Sequence, residues 1–123
     1  MIDSKNILKD KSFQFAIRVV NLYKYLQNDK KEYILSKQIL KSGTSIGANV
    51  REAYSAESKN DFIHKLSICQ KESNESMYWL ELLKATEYIS QDEYDSISNN
   101  VTELYKIITS SILTAKGNLN KKL

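Results

Sequence analysis

The chain has 123 residues, of which 41% are hydrophobic and 27% charged, with no proline, three glycines and a single cysteine. That length suits one domain around one hydrophobic core, and a lone cysteine excludes an internal disulfide framework. The net charge of +3 conceals a split: residues 1–51 hold ten Lys/Arg against four Asp/Glu, or +6, residues 52–112 hold five against eleven, or −6, and the tail adds Lys116, Lys121 and Lys122. Without proline, and with so few glycines, the chain has few places to turn, so a strongly helical fold is expected. The opening "MIDSKNILKDKSF" carries charges where a signal peptide needs an apolar stretch. No run approaches the roughly 18 apolar residues of a membrane span. A cytoplasmic protein with no membrane partner is expected.

The spacing predicts four helices, at about residues 7–27, 33–56, 59–88 and 91–116. In the first, Leu8, Phe15, Val19, Leu22 and Leu26 share one stripe, widened by Phe13, Ala16, Val20 and Tyr23. The segment "NDKK", Asn28 to Lys31, is the turn. In the second, Leu35, Ile39, Ile46, Val50 and Ala53 keep one face. That phase runs through "SGTSIGANVREA", Ser42 to Ala53, without a break, although it contains Gly43 and Gly47. Each glycine inside a helix costs about 1 kcal/mol relative to alanine. Four residues apart, the two lie on one strip, and the expected compensation is close approach of a neighbouring helix. A phosphate-cradling loop is the alternative, but neither G-x-x-x-x-G-K-[ST] nor G-x-G-x-x-G is present.

Ser58 is the expected N-cap of the third helix, with Asp61 favouring its positive end. Phe62, Leu66, Cys69, Ser73, Ser76, Leu80 and Leu83 form the inner stripe. Tyr78, Leu82 and Ile89 lie on a second stripe, which agrees with self-association. The fourth helix opens on Ser90-Gln91-Asp92-Glu93, an S-x-x-E capping box. Tyr94, Ile97, Val101, Leu104, Ile108 and Ile112 mark its buried face. Gly117 is the expected C-cap, and the lysine-rich end "NLNKKL" is expected to fray. Four helices with short connections predict an all-α, antiparallel up-down-up-down four-helix bundle in one domain, 1–123.

Leu35 to Ile89 resembles the four-helix bundle proteins encoded within intervening sequences of bacterial 23S ribosomal RNA genes. The most specific pieces are "SGTSIGANVREA" and "DFIHKLSI", joined by "YWLELLKAT". The family motif is carried by Ser42, Gly43, Ser45, Ile46, Gly47, Asn49, Arg51 and Glu52, then Asp61, Phe62 and Leu66. Gly43, Gly47, Asn49, Arg51 and Glu52, with Tyr78 and Leu82, are read as packing and subunit-contact positions. The resemblance implies a ring-like homopentamer and no settled activity. A related accessory protein of diversity-generating retroelements implies RNA or DNA as a partner, and a reverse transcriptase where the gene lies in a retroelement. Where many relatives carry glycine this chain has Glu87, which would let the third helix run past Thr86.

Catalytic chemistry finds little support. Asp61 and His64 form one Asp-x-x-His pair, but a di-iron bundle needs two such pairs and further carboxylates. One large group of helical ribonucleases places arginine four to six residues before histidine; here Arg51 precedes His64 by thirteen. Cys69 sits at core spacing, where cysteine behaves as a small apolar residue. No catalytic, metal or cofactor site is expected. Lys24, Lys30, Lys31, Lys37 and Lys41 cluster around the first turn, and they carry the expectation of a backbone-directed nucleic-acid surface. The competing expectation is a protein scaffold whose basic and acidic faces serve only self-assembly.

Overall fold

The computed structural model describes residues 4–121. Four helices follow one another in the order α1 (Ser4–Asn28), α2 (Leu35–Ala53), α3 (Lys59–Ala85) and α4 (Gln91–Lys121). Each packs against its neighbours in sequence, and α1 closes the bundle against α4. This is the antiparallel up-down-up-down arrangement that the short connections favour. The α1–α2 and α3–α4 loops therefore lie at one end and the α2–α3 loop at the other.

The periodic residues meet in one core. Leu8, Phe15, Val19 and Leu26 from α1 face Ile39, Ile46 and Val50 from α2. Leu66, Cys69, Leu80 and Leu83 from α3 meet Ile97, Val101, Leu104 and Ile108 from α4. Two core expectations need correction. Phe13 does not widen the core stripe: it is 51% exposed, with the Arg51 guanidinium 5.6 Å from its ring centroid. Ile89, expected on an outer stripe, is 5% exposed and belongs to the core. It lies after the end of α3, so helical spacing does not govern where it points.

The helix ends show which local signals decide. Ser58 caps α3 by accepting the Asp61 N–H at 3.0 Å. At α4, Ser90 Oγ accepts the Glu93 N–H at 3.1 Å while Glu93 Oε1 accepts the Ser90 N–H at 2.8 Å, the reciprocal capping box. α2 starts two residues later than its periodicity predicts and stops at Ala53 rather than 56. Glu32, in the preceding loop, claims the first amides of that helix, as described below. α4 runs straight through Gly117 to Lys121, so Gly117 is no C-cap and the helix reaches into the lysine-rich end. Lys122 and Leu123 lie outside the described residues.

Glu87 does not extend α3. The helix ends at Ala85, and Glu87 adopts φ 69°. The Tyr88 N–H donates to Leu83 O at 2.9 Å and the Glu87 N–H to Lys84 O at 3.0 Å. That pair of bonds is the Schellman arrangement, which needs a left-handed residue at this position. Glutamate fills a place that suits glycine, at a cost of about 1 kcal/mol.

The two glycines of α2 divide. Neither has positive φ, so α2 is unbroken. A Cβ on Gly43 would stand 2.7 and 2.8 Å from the two γ-methyls of Val19 and 3.1 Å from its Cβ. Val19 is fully buried and stiff about χ1, so it has little freedom to withdraw. A Cβ on Gly47 would meet only Ser12 O and Oγ at 3.5 Å, an ordinary contact. The expected neighbour, α1, therefore lies beside both glycines, but only at Gly43 is it too close for a Cβ.

Thermal melting of two single variants separates these sites. Gly43→Ala is expected to lose about 1–2 kcal/mol, the overpacking cost less the gain in helix propensity. Gly47→Ala is expected to be neutral or to gain up to about 1 kcal/mol. Equal losses at both would contradict the packing described. Independently, Glu87→Gly is expected to stabilise the fold by up to about 1 kcal/mol in denaturant titration, because glycine adopts the left-handed region without strain.

Candidate nucleic-acid interface

Helix periodicity puts Lys24 on the last full turns of α1 and Lys37 and Lys41 on successive turns of α2. Lys30 and Lys31 stand in the loop between them, and all five are exposed. The antiparallel register, fixed by Gly43 against Val19 and Gly47 beside Ser12, brings all five to one end of the bundle. Lys31 has φ 55°, so each of the two loops at this end holds one charged residue in the left-handed region. None of the five is in an ion pair among the described residues. Lys30 Nζ lies 5.9 Å from the Tyr25 ring centroid, a weak cation–π contact. Lys30 also acts on Glu93, and Lys41 on Glu72. Lys24, Lys31 and Lys37 have neither ion pair nor ring contact among the described residues, which leaves their ammonium groups to solvent.

The loop that carries these lysines is ordered by a residue the sequence patterns do not flag. Glu32 is only 8% exposed. Its carboxylate accepts the N–H of Ile34 at 3.2 Å, of Leu35 at 3.0 Å and of Ser36 at 2.7 Å, while Ser36 Oγ donates to Glu32 O at 2.8 Å. Burial alone would push this carboxyl up. The backbone N–H donors at Leu35, Ser36 and Ile34, with the Ser36 hydroxyl, outweigh it and hold the group below its ordinary value. One carboxylate thus satisfies three of the orphan amides at the start of α2. Capping-box logic looks for Ser, Thr, Asp or Asn next to the helix. Here the cap is a glutamate three residues upstream of Leu35, reached through a left-handed Lys31.

The remaining motif residues make contacts within the bundle. Asn49 Nδ2 donates to Ser45 O at 2.9 Å within α2. Glu52 Oε2 pairs with Lys65 Nζ at 3.3 Å and ties α2 to α3. Arg51 covers Phe13. Tyr78 is 57% exposed, with Trp79 edge-on at 5.0 Å, and Leu82 is half-buried. Ser42 and Ser76 meet through a buried hydroxyl pair at 3.0 Å between α2 and α3. Burial pushes the Cys69 thiol up to about 12, with Glu72 adding to the shift, so it stays protonated at neutral pH. His64 is exposed. Among the described residues no three His, Cys, Asp or Glu side chains are grouped to hold a metal ion. No described helix is long and apolar enough to cross a membrane.

The α1–α4 seam is the looser side of the bundle. Arg18 bridges it, donating to Ser96 O at 3.1 Å, to Ser96 Oγ at 2.9 Å and to Asn100 Oδ1. Lys11 and Glu103 form an ion pair further along. Beside Arg18 a groove of about 520 Å³ opens over Leu22, Tyr25, Ile89 and Ile97. A second hollow of about 550 Å³ adjoins it at Tyr25, between the two loops of the lysine-bearing end.

Fold and surface define an antiparallel four-helix bundle with lysines gathered on one loop-bearing end. The chain belongs to the 23S rRNA-intervening sequence protein family, whose model matches residues 4–110. It is similar to a crystal structure of a protein with unknown function from the S23 ribosomal protein family of Bacteroides thetaiotaomicron. The two are 58% identical over 89% of this chain and 98% of that chain, with a TM-score of 0.88. No curated protein matches the chain.

Because the Glu32 carboxyl is held below its ordinary value of 4.5, it stabilises the fold fully at neutral pH. That contribution is lost as pH falls through the lowered folded value. Glu32→Ala is expected to cost about 0.5–2 kcal/mol at pH 7, as for the loss of a helix cap. The gap between wild type and variant should narrow on acidification, which urea titrations at several pH values would measure.

Proposed function

We propose that this protein is a non-enzymatic, oligomeric accessory factor that binds RNA or DNA through the lysine-bearing end of the bundle. The observation that carries the reading is the gathering of Lys24, Lys30, Lys31, Lys37 and Lys41, all exposed and none ion-paired among the described residues. Phosphate contacts of this kind are sequence-independent and add across copies of a subunit. Family membership supports an RNA-linked context. A reverse transcriptase is a further partner if the gene lies in a retroelement. On this reading the protein acts in the cytoplasm.

Self-association is part of the same reading. The α1–α2 layer, residues 4–53, carries +6, whereas the α3–α4 layer, residues 59–121, holds seven lysines against nine Asp/Glu, or −2. Phe13, 51% exposed, and Ile17, 41% exposed, stand on α1, while Tyr78 stands out from α3. Unlike faces on opposite layers favour head-to-tail contacts, which close into rings when the rotation allows. The family resemblance sets the expected count at five. The exposed aromatic and aliphatic side chains on both layers also favour a second reading, a scaffold in which this complementarity serves assembly alone.

Binding to single- and double-stranded nucleic acid across a salt series tests the proposal. Log affinity should fall with log salt by about 0.9 for each phosphate neutralised on duplex DNA, and somewhat less on single strands. Lys37→Ala with Lys41→Ala, both at exposed helix positions, should lower affinity and flatten that slope by roughly 1.4–1.8. Affinity that is absent at low salt, or indifferent to salt, favours the scaffold.

A further inference from the structure

The hollow between the two loops at the lysine-bearing end differs from the surface around it. It is a hollow of about 550 Å³, open to solvent, with a volume inside the roughly 300–1,000 Å³ range of small-ligand sites. Tyr25, Tyr88, Lys30, Lys84, Glu87 and Glu93 line it. Both tyrosines are half-buried. Lys30 lies 5.9 Å from the Tyr25 ring centroid, and Lys84 lies 4.4 Å from that of Tyr94 just outside. Two lysines and two glutamates leave the hollow without net charge, while Lys24 and Lys31, at the same end of the bundle, are in no ion pair among the described residues.

A neutral, aromatic-walled recess beside a basic surface suits a nucleobase rather than a phosphate. Bases splayed from a single strand stack on aromatic rings and are read on their hydrogen-bonding edges. A carboxylate accepts hydrogen bonds and donates none, so it favours a base that presents an exocyclic amine. Glu93 is committed to its capping box, since its Oε1 accepts the Ser90 N–H at 2.8 Å. Glu87 makes no side-chain hydrogen bond among the described residues, and it is held at φ 69° where glycine would be unstrained. The Schellman turn at the end of α3 accounts for that conformation, and it leaves the Glu87 carboxylate beside the hollow without a hydrogen-bond partner among the described residues.

We infer that the hollow between the α1–α2 and α3–α4 loops is a base subsite for single-stranded nucleic acid, in which Glu87 accepts from the exocyclic amine of the base. This rests on the nucleic-acid reading above and narrows it. The subsite takes cytosine, adenine or guanine and disfavours uracil and thymine, whose one ring N3–H donor is flanked by two carbonyl oxygens that repel the carboxylate. The phosphates on either side of the seated base run to Lys24 and Lys31.

Oligocytidylate and oligouridylate of equal length differ at the amine and share similar stacking, so their affinities at one low salt concentration test the subsite directly. Wild type is expected to bind the cytosine oligomer at least about fivefold more tightly. Glu87→Gln, at an exposed position, should bring that ratio close to one, because an amide also donates to the uracil carbonyl. Lys24→Ala should weaken both oligomers and leave the ratio unchanged. Equal binding of the two by wild type, or a ratio that survives Glu87→Gln, overturns the subsite while nucleic-acid binding stands. Absence of binding to either oligomer overturns both.

Discussion

The fold depends on one steric fact: the α2 backbone at Gly43 lies against the γ-methyls of Val19, where no Cβ can fit. α2 is the rod that both neighbours approach. On its other side Ser42 meets Ser76 of α3 through paired hydroxyls in the core. Small side chains on two faces of one helix draw α1 and α3 in together. They also set the register that carries the lysines of α1, α2 and the intervening loop to a common end. A larger residue at 43 would push α1 outward, and the α1–α4 seam, already the looser contact, would have to absorb the shift.

Much of this architecture is legible in the sequence because it follows from local rules. Period-3.6 stripes give four helices, and the S-x-x-E box at Ser90 and the cap at Ser58 work as their patterns predict. The failures share a cause. Where a terminus is made by residues distant from the ideal pattern, the pattern misleads. Glu32 caps α2 from outside the usual cap position. Glu87 ends α3 although its helix propensity argues for continuation. Gly117 lies inside α4 because nothing there demands a left-handed residue. The spacing of Gly43 and Gly47 shows that both share a strip. It does not reveal that only one of them faces an obstacle, which depends on the partner side chain in α1.

The candidate site divides in the same way. The lysine cluster is readable because all five residues fall within one hairpin of sequence. The hollow beside it is not, since Tyr25 and Lys30 come from one loop region and Lys84, Glu87 and Tyr88 from another, joined only by the fold. Tyr25 and Tyr88 belong to none of the helical stripes, and each is half-buried with part of its surface open. The exposed Phe13 likewise escapes a stripe count, because each residue turns about 100° round the helix and the neighbour of buried Ser12 already faces solvent.

A double-mutant cycle on Val19 and Gly43 tests the central steric claim most directly. If the α2 backbone is close to α1 because position 43 lacks a side chain, Val19→Ala should make room for the methyl of Gly43→Ala. The combined variant should then be more stable than the sum of the two single losses predicts, by about 0.5–2 kcal/mol of coupling. Strictly additive losses in equilibrium unfolding would mean that the two residues do not constrain each other, and would contradict the account.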